Sequence, residues 1–133
     1  MAGVTPNEGR ALIGSAIYNG GSITSFSLVL MTNAGGTLSA TSVAADITQP
    51  TGGVYVALAI PRSGWTVGAA GDVTRSTVVW TAVGSAYAQQ VTGAALIAIT
   101  PGGNVLMHYQ YDPVPKTIAQ GGTYFIDLLT IIG

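Results

Sequence analysis

From residue 22 to the C-terminus the chain is written in short runs of β-branched, aliphatic and aromatic residues. Gly, Pro and Asn separate these runs at short intervals. Such punctuation is the signature of a β-sandwich or barrel. Residues 23–32 set Phe26, Leu28 and Leu30 against Ser25 and Ser27. Residues 54–60 alternate Val54, Val56, Leu58 and Ile60 with Tyr55, Ala57 and Ala59, and Pro61 closes the run. Residues 73–83 oppose Val78 and Trp80 to Arg75, Thr77 and Thr81. Residues 88–100 and 104–111 flank Pro101-Gly102-Gly103-Asn104, a tight-turn sequence that predicts a hairpin. Residues 123–132 are apolar on both faces, Tyr124, Ile126, Leu128 and Ile132 on one and Phe125, Leu129 and Ile131 on the other. Such a strand is expected at the centre of the domain or between subunits.

The first twenty residues follow a different rule. Thr5-Pro6-Asn7-Glu8 has the form of a capping box, with Pro at the first helical position, where a missing N–H costs nothing. A helix is expected from there to about Tyr18, stopped by Asn19-Gly20-Gly21, with Leu12, Ile13, Ala16 and Ile17 on one face. A helix this short is marginal alone and must pack on a sheet or a neighbour. Residues 42–47 predict a helical turn before Gln49-Pro50, and residues 63–72 a loop around Trp65. The expected architecture is a single domain, mainly β: an antiparallel, jelly-roll-like β-sandwich over 22–133, preceded by a short helical arm over 1–21.

Only nine of the 133 residues are charged, four Lys or Arg and five Asp or Glu, where an ordinary soluble domain carries about a quarter. A surface so poor in charge belongs either to a β domain coated with Gly, Ser and Thr or, as the favoured reading, to an assembly that buries much of it against other protein. The cations Arg10, Arg62, Arg75 and Lys116 stand singly and the net charge is −1. They offer no footprint for phosphate backbones or anionic lipid, so neither nucleic acid nor membrane is an expected partner. No apolar run reaches the length of a membrane helix, and residues 1–8 lack the basic-then-apolar order of a secretory signal. With no cysteine, disulfides and thiolate chemistry are excluded.

The inventory for catalysis is thin. His108 is the only histidine, placed in a strand with its side chain opposite Met107, Tyr109 and Tyr111. One histidine builds no multi-histidine metal site, and Asp112, four strand positions on, lies roughly 13 Å away, too far to orient it. Asp127 interrupts an apolar strand and must face water, a cation or a hydrogen-bond network; an ion pair with Arg75 or Lys116 is its expected role. Asp112-Pro113-Val114-Pro115-Lys116 reads as a stiff extended connection. Gly9 and Gly14 match no phosphate loop, and Gly14-Ser15-Ala16 is no nucleophile elbow, because no strand precedes it. No enzyme activity, cofactor or metal is expected.

Several features recur in order: Gly53-Val54-Tyr55 opening a strand, a loop tryptophan at Trp65, Val78-Val79-Trp80, and a small-residue strand ending in Pro101-Gly102-Gly103-Asn104. Val105-Leu106-Met107-His108, Tyr111-Asp112-Pro113 and Gly121-Gly122 before a terminal apolar strand complete the series. Over about residues 24–133 this order resembles small β-sandwich virion proteins of tailed bacteriophages, of the capsid decoration or cement type. His108, Gln110 and Tyr111 depart from the residues usual in that group. The resemblance implies a non-enzymatic protein on the capsid surface of the virion, a homo-oligomer, expected as a trimer, seated on the major capsid protein. Under it, the oligomer contacts fall on Phe125, Leu129 and Ile131 of the last strand, while Leu12, Ile13 and Ile17 of the helix clamp a neighbour. The rival expectation is a tail-tip, fibre or adaptor component that binds host glycan through Tyr55, Trp65 and Trp80.

Overall fold

The structure is a computed structural model that describes residues 3–18, 23–67 and 72–131, without the side chains at 14–18, 64, 67, 72–76 and 127–131. Among the described residues one α-helix, α1 (Asn7–Tyr18), precedes seven strands: β1 (Ser25–Met31), β2 (Leu58–Pro61), β3 (Thr66–Val67), β4 (Asp72–Thr81), β5 (Val91–Thr100), β6 (Gly103–Lys116) and β7 (Thr123–Ile131). They form two antiparallel sheets, one in the order β2-β1-β5-β6 and the other β3-β4-β7. The chain is therefore a mainly β sandwich with one short helix, as its alternation and punctuation predict.

Between the sheets lie Leu28, Leu30, Ile60 and Leu96 from the larger sheet and Val78 and Trp80 from the smaller, with Tyr87, Val91 and Ile118 closing the ends. Period-two alternation explains this layer directly: Phe26, Leu28 and Leu30 share one face of β1, and Val78 and Trp80 one face of β4. The larger sheet is covered on its other face as well. Val29, Met31, Ala95, Ile97, Leu106 and Tyr109 pack there with Leu38, Ala44 and Ile47 from the long β1–β2 connection. Strand β5 is thus buried on both faces over residues 91–98, which is why its sequence carries small and aliphatic residues without a polar alternation.

Four segments differ from expectation. The run 54–60 is a strand only from Leu58, because Gly52, Gly53 and Val54 all adopt positive φ (79°, 58° and 55°) and the Tyr55 amide closes a turn onto the Gly52 carbonyl. Val54 and Val56 consequently lie exposed and not beside Leu58 and Ile60. Strand β6 does not stop at Tyr111 but continues through Pro113 and Pro115 to Lys116, and the loop around Trp65 contains the two-residue strand β3. Finally, β7 is not central: among the described residues it pairs with β4 alone.

The N-terminal segment is fastened to β6. Val4 exchanges both backbone hydrogen bonds with Tyr109, at 2.8 and 2.9 Å. Pro6 is buried, its carbonyl accepts the Arg10 amide, and the Asn7 amide donates to Ala40. The predicted capping box does not form. Glu8 turns outward and accepts the amides of Leu106 on β6 and of Ala44, at the start of a 3-10 turn over Ala44–Asp46. Helix α1 comes this close because position 9 is glycine: a Cβ there would lie 2.6 Å from the Leu106 carbonyl oxygen and 2.9 Å from the Met107 Cα.

Candidate functional site

Among the described side chains, those with acid–base chemistry do not converge. His108 is half-buried beneath Gly3, with its Nδ1 3.4 Å from Thr5 Oγ1, and burial lowers its pKa from the ordinary histidine value. A register shift at Leu96/Ile97 makes Met107 a bulge, so Leu106 and Tyr109 both join the outer core while Met107 packs toward the inter-sheet core. Simple alternation, which grouped Met107 with Tyr109 and Tyr111, fails for that reason. Asp112 accepts the Val114 amide on Oδ1 and the Tyr124 hydroxyl on Oδ2, each at 3.1 Å. Burial, the Asp112 charge and this bond all raise the Tyr124 pKa. Asp112 therefore ties β6 to β7 across the flank of the sandwich, beside an open hollow of about 460 Å³ lined by Lys116, Thr117, Thr123 and Phe125. The side chain of Asp127, expected in an ion pair with Arg75 or Lys116, lies outside the described residues, as does that of Arg75. Among the described residues, no three His, Asp or Glu side chains gather in a metal-binding group.

The three rings proposed for glycan stacking are engaged in packing. Trp80 is 4% exposed, belongs to the inter-sheet core, and donates its Nε1 hydrogen to the Val56 carbonyl at 3.1 Å. Trp65 meets Phe26 edge-on at 5.4 Å between centroids, and its Nε1 is buried without a partner. Tyr55 lies edge-on to Tyr87 at 5.7 Å, accepts the Leu30 amide at 3.0 Å and donates to Gln49 Oε1 at 2.9 Å. Burial raises its pKa from 10.0 to about 12, against the lowering effect of the Leu30 amide. The rings are components of the core and its margin, and they present no common stacking face; Trp80 in particular cannot stack on a ligand while it remains in the core.

What the surface does present is apolar. Phe125 is 66% exposed and pairs across the strands with Val79, itself 55% exposed, on the outer face of the three-stranded sheet. Exposed Thr77, Thr81 and Thr123 surround them. Backbone direction explains the closeness of the pair. The Ala82 amide donates to the Gly122 carbonyl, so by alternation Tyr124 and Ile126 direct their backbone groups at β4. Phe125 and Val79 then form a non-hydrogen-bonded pair, the kind whose side chains approach most closely. Sequence reasoning selected Phe125 but passed over Val79, although the parity that buries Val78 and Trp80 necessarily turns Val79 outward. Leu129 and Ile131 pair with Thr74 and Asp72 in the same strand, with their side chains outside the described residues, as is that of Ile17. Leu12 and Ile13 are half-buried on a helix that docks on β6 of its own chain.

Comparison with protein-family models, with curated proteins and with solved structures finds no match to this chain. Among the described residues no helix is long and apolar enough to cross a membrane.

Proposed function

We propose that the protein is a structural subunit of a tailed-phage virion, one that decorates and stabilises the capsid as a trimer packed against the major capsid protein. The observation that carries this reading is the exposed Val79–Phe125 pair on the outer sheet face of a chain with nine charges in 133 residues. Burying such side chains contributes about 1.5–3 kcal/mol each, less the cost of association. Many copies bridging neighbouring capsomers turn a modest contact into a strong one through multivalency.

The test is the mass in solution by light scattering across a range of protein concentrations, followed by co-sedimentation with expanded empty capsids. The expected result is a concentration-independent trimer that binds capsids, with Phe125→Asp reducing the mass. A monodisperse Phe125→Asp trimer would place the contact elsewhere. Failure to sediment with capsids would overturn the decoration reading itself.

A further inference from the structure

Long unpaired sheet edges recruit other strands, and natural proteins blunt them. Three of the four edges described here are blunted. Strand β2 is four residues long and ends in Pro61, and β3 has two residues. Strand β6 is covered by Val4 at Tyr109 and by the Glu8 carboxylate at Leu106, and farther along it carries Pro113 and Pro115, which have no N–H to offer. Strand β7 stands apart: nine residues, no proline, no lysine, and among the described residues no strand beyond it. Because Gly122 directs its carbonyl at β4, alternation turns the backbone N–H and C=O groups of Phe125, Asp127 and Leu129 away from the sheet.

We propose that β7 is a strand-addition site that takes an extended segment of another protein carrying a lysine or arginine opposite Asp127. Charge selects this occupant over a second copy of β7. Asp127 is the central residue of Thr123–Ile131 and its only charge, so full antiparallel overlap of two β7 strands would set residue 127 against residue 127. Like charges directly opposite are destabilising, whereas an opposite charge there contributes favourably. Each added strand would also run beside the Val79–Phe125 face, extending the apolar surface already exposed. The inference goes beyond the capsid reading, since it specifies backbone recognition and a cation whatever the partner's source.

The probes are two soluble nine-residue peptides of alternating Thr and Val, one with Lys and one with Glu at the central position, titrated against the intact protein by fluorescence anisotropy. The Lys peptide is expected to bind about threefold to tenfold more tightly than the Glu peptide. Asp127→Lys should reverse that order with every backbone group retained. Leu129→Pro, which removes an outward N–H and leaves the β4 ladder intact, should abolish binding of both, with unchanged circular dichroism confirming its fold. If Leu129→Pro proves unfolded, the Asp127→Lys reversal decides alone. Equal binding of the two peptides, no binding of either, or a preference unmoved by Asp127→Lys would overturn the proposal. A wild-type dimer cross-linked through β7 would do the same in favour of a second copy. Capsid co-sedimentation of Leu129→Pro separates the two ideas: retained sedimentation with lost peptide binding leaves the decoration reading standing without the strand site.

Discussion

The carboxylate of Glu8 accepts the backbone amide of Leu106, a residue 98 positions away, and through the same oxygen that of Ala44. One side chain on the first turn of α1 thus satisfies an outward donor of the β6 edge and an amide of the 32–57 connection.

Removing that acceptor leaves two amides to find water in a half-buried site. Glu8→Ala should destabilise the fold by about 2 kcal/mol, and Glu8→Gln, which keeps a carbonyl oxygen, by about half as much. Urea denaturation midpoints of the three proteins check the order. Equal midpoints for wild type and Glu8→Ala would show that the contact contributes nothing to stability.

Gly9 gives a prediction opposite in sign to helix propensity. In an exposed helix interior Ala is favoured over Gly by about 1 kcal/mol. Here the new Cβ would meet the Leu106 carbonyl at 2.6 Å and the Met107 backbone at 2.9 Å, atoms fixed in a sheet. Gly9→Ala should therefore lower the melting temperature, at a cost of about 1–3 kcal/mol for overpacking. An increase would mean that α1 sits farther from β6.

The parts of this fold that were legible in the sequence are those set by local rules. The parity of Val78 and Trp80 places them in the inter-sheet core, and Pro101-Gly102 turns β5 into β6, with Thr100 paired to Gly103. What stayed illegible depends on partners distant in sequence. Glu8 satisfies the local pattern of a capping box, yet Leu106 and Ala44 compete for its carboxylate and win. Pro113 and Pro115 read as a connection because proline is barred from central strands, but β6 is an edge strand, where they are tolerated. Of the candidate site, Phe125 was readable from strand alternation. Val79 followed from the same parity, and the open edge of β7 became visible only once the strand order was known.

Val54 holds a φ of 55° while 73% exposed. A β-branched residue in the left-handed region is strained by about 1–3 kcal/mol, and here no burial compensates. Val54→Gly relieves that strain but enlarges the conformational freedom of the unfolded chain, which offsets about 1 kcal/mol of the gain. The net expectation is a stabilisation of up to about 2 kcal/mol, read as a higher denaturation midpoint. A clear loss of stability would show that the turn at Gly52–Tyr55 depends on the valine.

The Tyr55 hydroxyl stands where a neighbouring strand would continue: β2 pairs with β1 only as far as Leu28, and the next amide on that side, of fully buried Leu30, is met by Tyr55. Tyr55→Phe removes this acceptor and should cost about 1–3 kcal/mol near neutral pH. The pH dependence follows from the pKa, raised by burial from 10.0 to about 12. Below pH 10 the phenol is protonated in both folded and unfolded chains, so its contribution is fully present. Between pH 10 and 12 the unfolded chain loses the proton first, and the contribution shrinks as pH rises through the folded value. The stability difference between wild type and Tyr55→Phe should therefore be flat up to about pH 10 and narrow above it. Tyr124, whose pKa is also raised, is retained in both proteins and drops out of the difference. A gap that stayed constant to pH 12 would mean that Tyr55 ionises equally in the two states, and that its hydroxyl is not held at Leu30 and Gln49.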